Sequence, residues 1–299
     1  MLCRRPYIPP YGSQRAAYPC KQCMPCRLNR RREWTSRILL ESFCHEKSSF
    51  VTLTYAPEFV PEGNTLVPKH PSDFLKKLRH HFPPKSIRYY LVGEYGDQTE
   101  RPHYHLALFG VGPESQDLVA RTWGMGHVLC GDLTPESAQY VAGYVTKKMT
   151  DADDPRLDGR YPEFARMSLK PGIGSGSLET IARALNTGLG SFVAKNAEDV
   201  PSFLRFGDKT YPLGRYLRTK LRVALDFYKV DPVTGEVSYG APASVLQKTS
   251  EEMSTLFDDW FNNEKASQVS FKEYLTSLDA GKVALMESKF KRKHIRRKL

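Results

Sequence analysis

An α+β domain built on a mainly antiparallel sheet is the fold class that this 299-residue sequence predicts, and three observations lead to it. Four short apolar runs, near 50–55, 88–94, 103–109 and 127–131, have strand character. The second and third are separated by little more than Asp97 to Pro102, a turn-rich stretch that joins antiparallel neighbours. Between the other strands the pattern turns helical.

Composition narrows the partners. Forty-four Lys and Arg against 33 Asp and Glu leave a net charge of +11, which draws the chain towards polyanions, nucleic acid above all. Met1-Leu-Cys-Arg-Arg5 is followed by prolines, and no apolar run approaches the roughly 18 residues that span a bilayer. Neither export nor a membrane partner is expected, and a cytoplasmic protein keeps its six cysteines reduced or on metal.

Residues 1–26 are rich in Pro, Tyr and Cys and contain Cys20-Lys-Gln-Cys-Met-Pro-Cys26. With Cys3 as a fourth thiolate, Cys20, Cys23 and Cys26 could hold a structural Zn2+; the alternative is unligated thiols under a loop. From Arg27 to about Lys47 the pattern is helical, with Leu28, Trp34, Ile38, Leu39 and Phe43 as an apolar stripe. Arg27, Arg30, Arg31, Arg32 and Arg37 crowd its other positions. Residues 1–37 hold nine Lys or Arg and one acid, Glu33, so phosphate contacts compete with a merely solvated face.

Phe50 to Tyr55 reads as a buried strand closed by Ala56-Pro57, and Ser72 to Phe82 as a short helix with Phe74, Leu75, Leu78 and Phe82 inward. A turn-rich stretch around Trp123 and a strand at His127 to Cys130 follow the two central strands. His127 is expected to be structural. Thr134-Pro-Glu-Ser137 starts a helix, with Thr134 as N-cap, and the pattern continues to Met149.

Beyond Met149 an acidic connector leads to Ser168-Leu-Lys-Pro-Gly-Ile-Gly-Ser-Gly176, which lacks the spacing of a P-loop or a dinucleotide fingerprint. A helix is expected at Leu178 to Leu185. Lys209 to Tyr228 mixes basic and aromatic residues, as a single-strand track or an ordinary amphipathic helix would. Helices near 243–263 and 270–288 precede a tail, 289–299, with seven Lys or Arg. Lys291, Arg292 and Lys293 belong to this expected mobile phosphate-binding arm.

The chemistry concentrates in Arg101-Pro-His-Tyr-His-Leu-Ala-Leu-Phe-Gly110. His103 and His105, two apart on a strand, project on one face. Glu94, ending the preceding strand near the turn, can join them, and two imidazoles with one carboxylate leave coordination positions open for catalysis. On a helical wheel Ala138, Val141, Ala142, Val145 and Met149 take the core side, while Tyr140, Tyr144, Lys147 and Lys148 gather opposite. Paired phenols beside two cations and a metal site suit attack on phosphate.

The order Phe50-Val-Thr-Leu-Thr-Tyr55, Pro102-His-Tyr-His105 and Tyr140-Val-Ala-Gly-Tyr-Val-Thr-Lys147 resembles the three motifs of HUH rolling-circle replication endonucleases. The paired tyrosines with a following lysine are similar to those of microvirus replication initiators, and the short chain with its Cys-rich opening resembles their gokushovirus branch. The likeness covers about the first 175 residues, and the Lys-Pro-Gly-Ile-Gly element is similar too.

This resemblance implies a ferredoxin-like sheet with the tyrosine helix across it. It also implies Mg2+ or Mn2+ on His103, His105 and Glu94, with Tyr140 and Tyr144 as nucleophiles. Lys147 or Lys148 would stabilise developing charge. The expected organisation is a basic Cys-rich arm and helix (1–47), the nuclease core (48–170) and a mostly helical accessory region (171–299). The expected activity is a phage replication initiator in the cytoplasm of a bacterial host. It would nick and religate single-stranded origin DNA through a tyrosyl-5′ link, with host helicase and polymerase as partners. Tyr144-Val-Thr-Lys147 matches the Tyr-x-x-Lys form of single-tyrosine relatives, which favours Tyr144 for the first cut. The rival reading is a non-catalytic, zinc-containing DNA-binding regulator whose histidines and tyrosines serve packing.

Overall fold

The computed structural model describes residues 3–7, 18–84, 86–96, 98–146, 153–188, 199–227, 229–230, 233–239 and 243–295, with backbone alone at 145, 146, 229, 230, 238, 243–250 and 290–295. The chain divides into two compact units. The sheet unit comprises 31–184 and 202–220; the terminal unit comprises 1–30, 185–201 and 221–299.

The sheet unit is α+β, as the sequence predicts. Its five strands are β1 (Ser48–Thr54), β2 (Arg88–Tyr95), β3 (Pro102–Phe109), β4 (Val128–Asp132) and β5 (Phe164–Met167). They lie in the order β4-β1-β3-β2-β5, with every neighbouring pair antiparallel. This is an HUH-like arrangement. Alternation along β1 and β3 sends side chains to opposite faces, and helices cover both. On one face Val51, Leu53, Tyr104, Leu106 and Leu108 meet α2 (Lys69–Arg79) and α3 (Gln116–Trp123). On the other, Tyr90, Val92, Ala107 and Phe109 meet Ile38 and Leu39 of α1 (Met24–Ser42) and Ala138, Val141 and Ala142 of α4 (Pro135–Ala142). Each fully buried Leu or Phe contributes roughly 1.5–3 kcal/mol, so two such layers fix the register of β3 between them. Gly110 ends β3 at φ +86°, where a Cβ would lie 2.3 Å from the Ser86 carbonyl oxygen.

Several expectations are corrected. The stretch before Trp123 is the helix α3, whose pattern is too short to recognise. The edge strand β5 is absent from the sequence reading; its four residues alternate little and are partly exposed. Phe43, assigned to the apolar stripe of the first helix, lies one residue beyond α1 and is exposed, its ring 5.4 Å from that of Phe206. The helix of the two tyrosines starts as expected: Thr134 Oγ1 accepts from the Ser137 N–H at 3.2 Å, and Ser137 Oγ accepts from the Thr134 N–H at 2.8 Å. It does not run to Met149. α4 ends at Ala142, and Gly143 begins a tighter 3-10 turn through Thr146.

Past the sheet, α5 (Leu178–Leu185) is where the pattern puts it. The stretch 209–228 is neither wholly helix nor wholly loop. A hairpin of β6 (Phe203–Phe206) and β7 (Lys209–Pro212) precedes α6 (Gly214–Ala224), whose Leu217 and Leu221 are fully buried, as in an amphipathic helix. The terminal unit also contains a short pair, β8 (Lys229–Val230) and β9 (Val237–Ser238). Its helices are α7 (Ala243–Asn262), α8 (Phe271–Leu278) and α9 (Ala280–Ile295). The expected arm from residue 289 thus continues α9 as far as Ile295. Lys and Arg are good helix formers, which the sequence reading did not weigh. Among the described residues no helix is long and apolar enough to cross a membrane.

Candidate active site

β2 and β3 place Glu94 directly opposite His103, while β1 and β2 place Thr52 and Val92 on either side of His105. Antiparallel pairing therefore puts the three ligand-type side chains on the α1–α4 face, and they converge on one atom. Glu94 Oε1 lies 2.8 Å from His103 Nε2 and 3.1 Å from His105 Nε2. Glu94 is 3% exposed and His105 5% exposed, with His103 half-buried at the rim.

The outer nitrogens are fixed as well. His103 Nδ1 lies 3.1 Å from the Arg101 carbonyl oxygen, and His105 Nδ1 lies 2.9 Å from Thr52 Oγ1. A carbonyl oxygen can only accept, so His103 Nδ1 carries the proton and Nε2 of the neutral ring presents a lone pair. That lone pair faces a carboxylate oxygen. Two acceptors 2.8 Å apart need a proton or a cation between them, and neutral imidazoles oriented from behind are how metal-ligating histidines are held. Three ligand atoms within 4.8 Å of one another on one open side fit a divalent ion.

The tyrosines stand against the same imidazole. The Tyr140 and Tyr144 rings lie 5.2 and 5.5 Å from that of His105 and 5.6 Å from each other. They are not equivalent, as one shared helix face would make them. Tyr144, in the 3-10 turn, is 8% exposed within the core cluster and donates to Glu94 Oε1 at 2.5 Å. Burial, reinforced by the Glu94 carboxylate and by Tyr140, holds its phenol well above the ordinary range. Tyr140 is 37% exposed, edge-on to Phe50. Lys147 and Lys148 lie outside the described residues.

The sequence reading missed three supports: Thr52 behind His105, Phe50 stacked on its ring at 5.6 Å, and Glu163. Glu163 is buried, accepts from the Tyr95 N–H at 3.2 Å, and raises the Tyr144 phenol further. The signal for the first two was available, because Phe50 and Thr52 share a strand face. Glu163 adjoins β5, which has no signal of its own.

The proposed phosphate-binding arginines diverge. Arg37 donates to the Ile173 carbonyl at 2.9 Å and lies between Trp34 and Tyr216, 4.2 and 4.7 Å from their ring centres. Arg31 donates to the Gln139 carbonyl and Arg32 to that of Thr210. Arg30 is exposed and Arg27 half-buried. The side chains of Lys291, Arg292 and Lys293 lie outside the described residues. The sulfurs of Cys3, Cys20, Cys23 and Cys26 come together.

An antiparallel five-stranded sheet with paired histidines on its central strand and a carboxylate on the next defines an HUH-like α+β protein. Residues 48–149 match the family model of the replication-associated protein ORF2, and the chain is a relative of the microvirus-type replication initiators. Replication-associated protein VP4 of Bdellovibrio phage phiMH2K is 27% identical over 92% of this chain and 88% of its own length. Replication-associated protein ORF2 of Spiroplasma virus 4 is 36% identical over 52% of this chain and 55% of its own. Replication-associated protein ORF4 of Chlamydia phage 1 is 30% identical over 48% and 42%. No solved structure matches.

Proposed function

We propose that this chain initiates rolling-circle replication of a small single-stranded-DNA phage by nicking origin DNA through a tyrosyl-5′-phosphodiester and later religating it. The observation that carries this reading is the convergence of both histidine Nε2 atoms on Glu94 Oε1, with two tyrosines against the His105 ring. The relatives' names point the same way: all three are replication-associated proteins of phages or viruses.

His103, His105 and Glu94 would hold Mg2+ or Mn2+, which supplies positive charge to a non-bridging oxygen of the scissile phosphate. Arg101 and Thr52 hold the imidazoles in register for that ion. A tyrosine oxygen attacks phosphorus, its proton passes to solvent, and the 3′ oxygen leaves and takes up a proton. The phosphodiester is conserved as a tyrosyl ester, so a free 3′-OH can later reverse the step. Lys147 or Lys148 would offset the developing charge.

Exposure favours Tyr140 for the first cut, the reverse of the order that the Tyr-x-x-Lys match suggests. An incoming strand can reach Tyr140, whereas Tyr144 must first leave Glu94. Two phenols on one imidazole suit alternation, the second cutting a regenerated origin while the first still carries DNA. The test is a denaturing gel of the full chain with labelled single-stranded origin oligonucleotides and Mg2+ or Mn2+. A covalent adduct lost on chelation supports the proposal; absence of any adduct across the origin region refutes it.

A further inference from the structure

We propose that Cys3, Cys20, Cys23 and Cys26 bind one Zn2+ as a tetrathiolate, and that this ion is the joint fastening the N-terminal segment to α8 and α9 within the terminal unit. The inference does not rest on the nuclease reading.

The four sulfurs lie within 4.8 Å of one another, with Cys20–Cys26 and Cys23–Cys3 each 3.9 Å apart. Such separations are far too long for disulfides. A tetrahedron with zinc–sulfur bonds of about 2.3 Å has edges of about 3.8 Å. Backbone amides point at three of the sulfurs: Cys20 N–H at Cys3 and Cys23 N–H at Cys20, both at 3.3 Å, and Arg4 N–H at Cys23 at 3.4 Å. A thiol is a weak acceptor and a thiolate a strong one, so three converging amides describe a site made for sulfur anions. The turn from Cys20 to Cys23 passes through Lys21 at φ +62°, a left-handed conformation unusual for lysine. All-sulfur donors select a closed structural zinc site, unlike the open imidazole–carboxylate set on the sheet.

Arg4 makes this cluster a joint. Its N–H meets Cys23, its carbonyl accepts from Thr276 Oγ1 of α8 at 3.3 Å, and its guanidinium pairs with Glu287 of α9. The terminal unit has little else to close on. Its buried apolar side chains among the described residues are Cys3, Cys26, Val200, Leu221, Met253 and Val283, with Pro6 and Pro25. A unit with so small a core gains from a metal staple.

The test uses the full chain, purified without added chelator. Elemental analysis should give one zinc per chain, and Co2+ exchanged into the site should show sulfur-to-metal charge-transfer absorption. Cys3→Ser and Cys26→Ser should each lose the zinc. Removing zinc should speed amide exchange across 271–295 at least about tenfold and leave 102–109 unchanged. Arg4→Ala should keep the zinc yet speed exchange across 280–295, separating the joint from the ion. Zinc retained at full stoichiometry in both cysteine variants, or no bound zinc in the wild type, overturns the site. Exchange across 271–295 indifferent to zinc overturns the joint.

Discussion

Glu94, His103 and His105 stand on paired strands between two hydrophobic layers, whereas Cys3, Cys20, Cys23 and Cys26 stand on irregular chain and the first turn of α1 in a unit with a thin core. The first set is positioned by the fold; the second must help to make its fold. The sheet holds His103 and His105 by register, backbone carbonyl and Thr52, so an ion there is free to serve chemistry. In the cysteine set the order of cause is reversed, and ligand and scaffold are the same residues. An open site can be disarmed without unfolding, and a closed one cannot.

The largest expected effect would break this contrast if it failed. His105→Ala should cut adduct formation by more than the roughly 10–100-fold that outer partners of a metal are worth. The sheet unit should keep its melting temperature, because His105 stabilises no layer that Ala107 and Phe109 do not already fill. Thermal melting alongside the gel assay checks both halves, and loss of folding in His105→Ala would show the site to be structural.

Tyr140→Phe and Tyr144→Phe together should form no adduct. Singly, Tyr140→Phe should slow the first cut more than Tyr144→Phe, since only Tyr144 must leave Glu94. Mapping the DNA-linked peptide by mass spectrometry decides the order, and adducts confined to Tyr144 in the wild type would reverse it.

A smaller effect sharpens the comparison from behind the ligands. Thr52→Val removes the partner of His105 Nδ1 while keeping the strand, and should weaken divalent-ion affinity about 10-fold. Calorimetric titration with Mn2+ reads this directly; unchanged affinity would mean that register alone orients the imidazole.

The smallest effect concerns the scaffold. Burial alone would raise the carboxyl of Glu41, but hydrogen bonds from His45, the Gly174 N–H and Arg88 outweigh it and hold the group below its ordinary value. Its stabilisation is therefore complete above the ordinary carboxylate range and fades as pH falls through the depressed value. Glu41→Gln should melt below wild type at neutral pH, with the gap narrowing in acid. A gap independent of pH would assign the loss to shape rather than charge.

Much of the site was legible because its signals are local. His103 and His105 share a strand face by period two, and a six-residue turn brings Glu94 opposite. β1 and β3 announced themselves through dense apolar alternation. What escaped has no period to detect. β5 is four residues at an edge, α3 is eight residues long, and the end of α4 depends on Gly143 within a pattern that otherwise continues. The difference between Tyr140 and Tyr144 was illegible for the same reason: a helical wheel assumes that the helix goes on. For the cysteines, spacing could only permit what the fold decides, since Cys3 arrives from 17 residues upstream of Cys20.

Arg37, Glu41 and Arg88 all bind the loop Lys170-Pro-Gly-Ile-Gly174, through the Ile173 carbonyl, the Gly174 N–H and the Pro171 carbonyl, while Tyr216 accepts from the Gly172 N–H. Gly174 has φ +83°, and a Cβ there would lie 2.9 Å from the Arg37 carbonyl oxygen. In terms of sequence drift, this loop is a fixed point. α1, β2 and α6 can each vary at their solvent-facing positions, but none can change its bond to the loop alone. A saturation scan should therefore find position 174 closed to every side chain, a few residues from exposed positions such as Glu179 and Arg183 that accept nearly any.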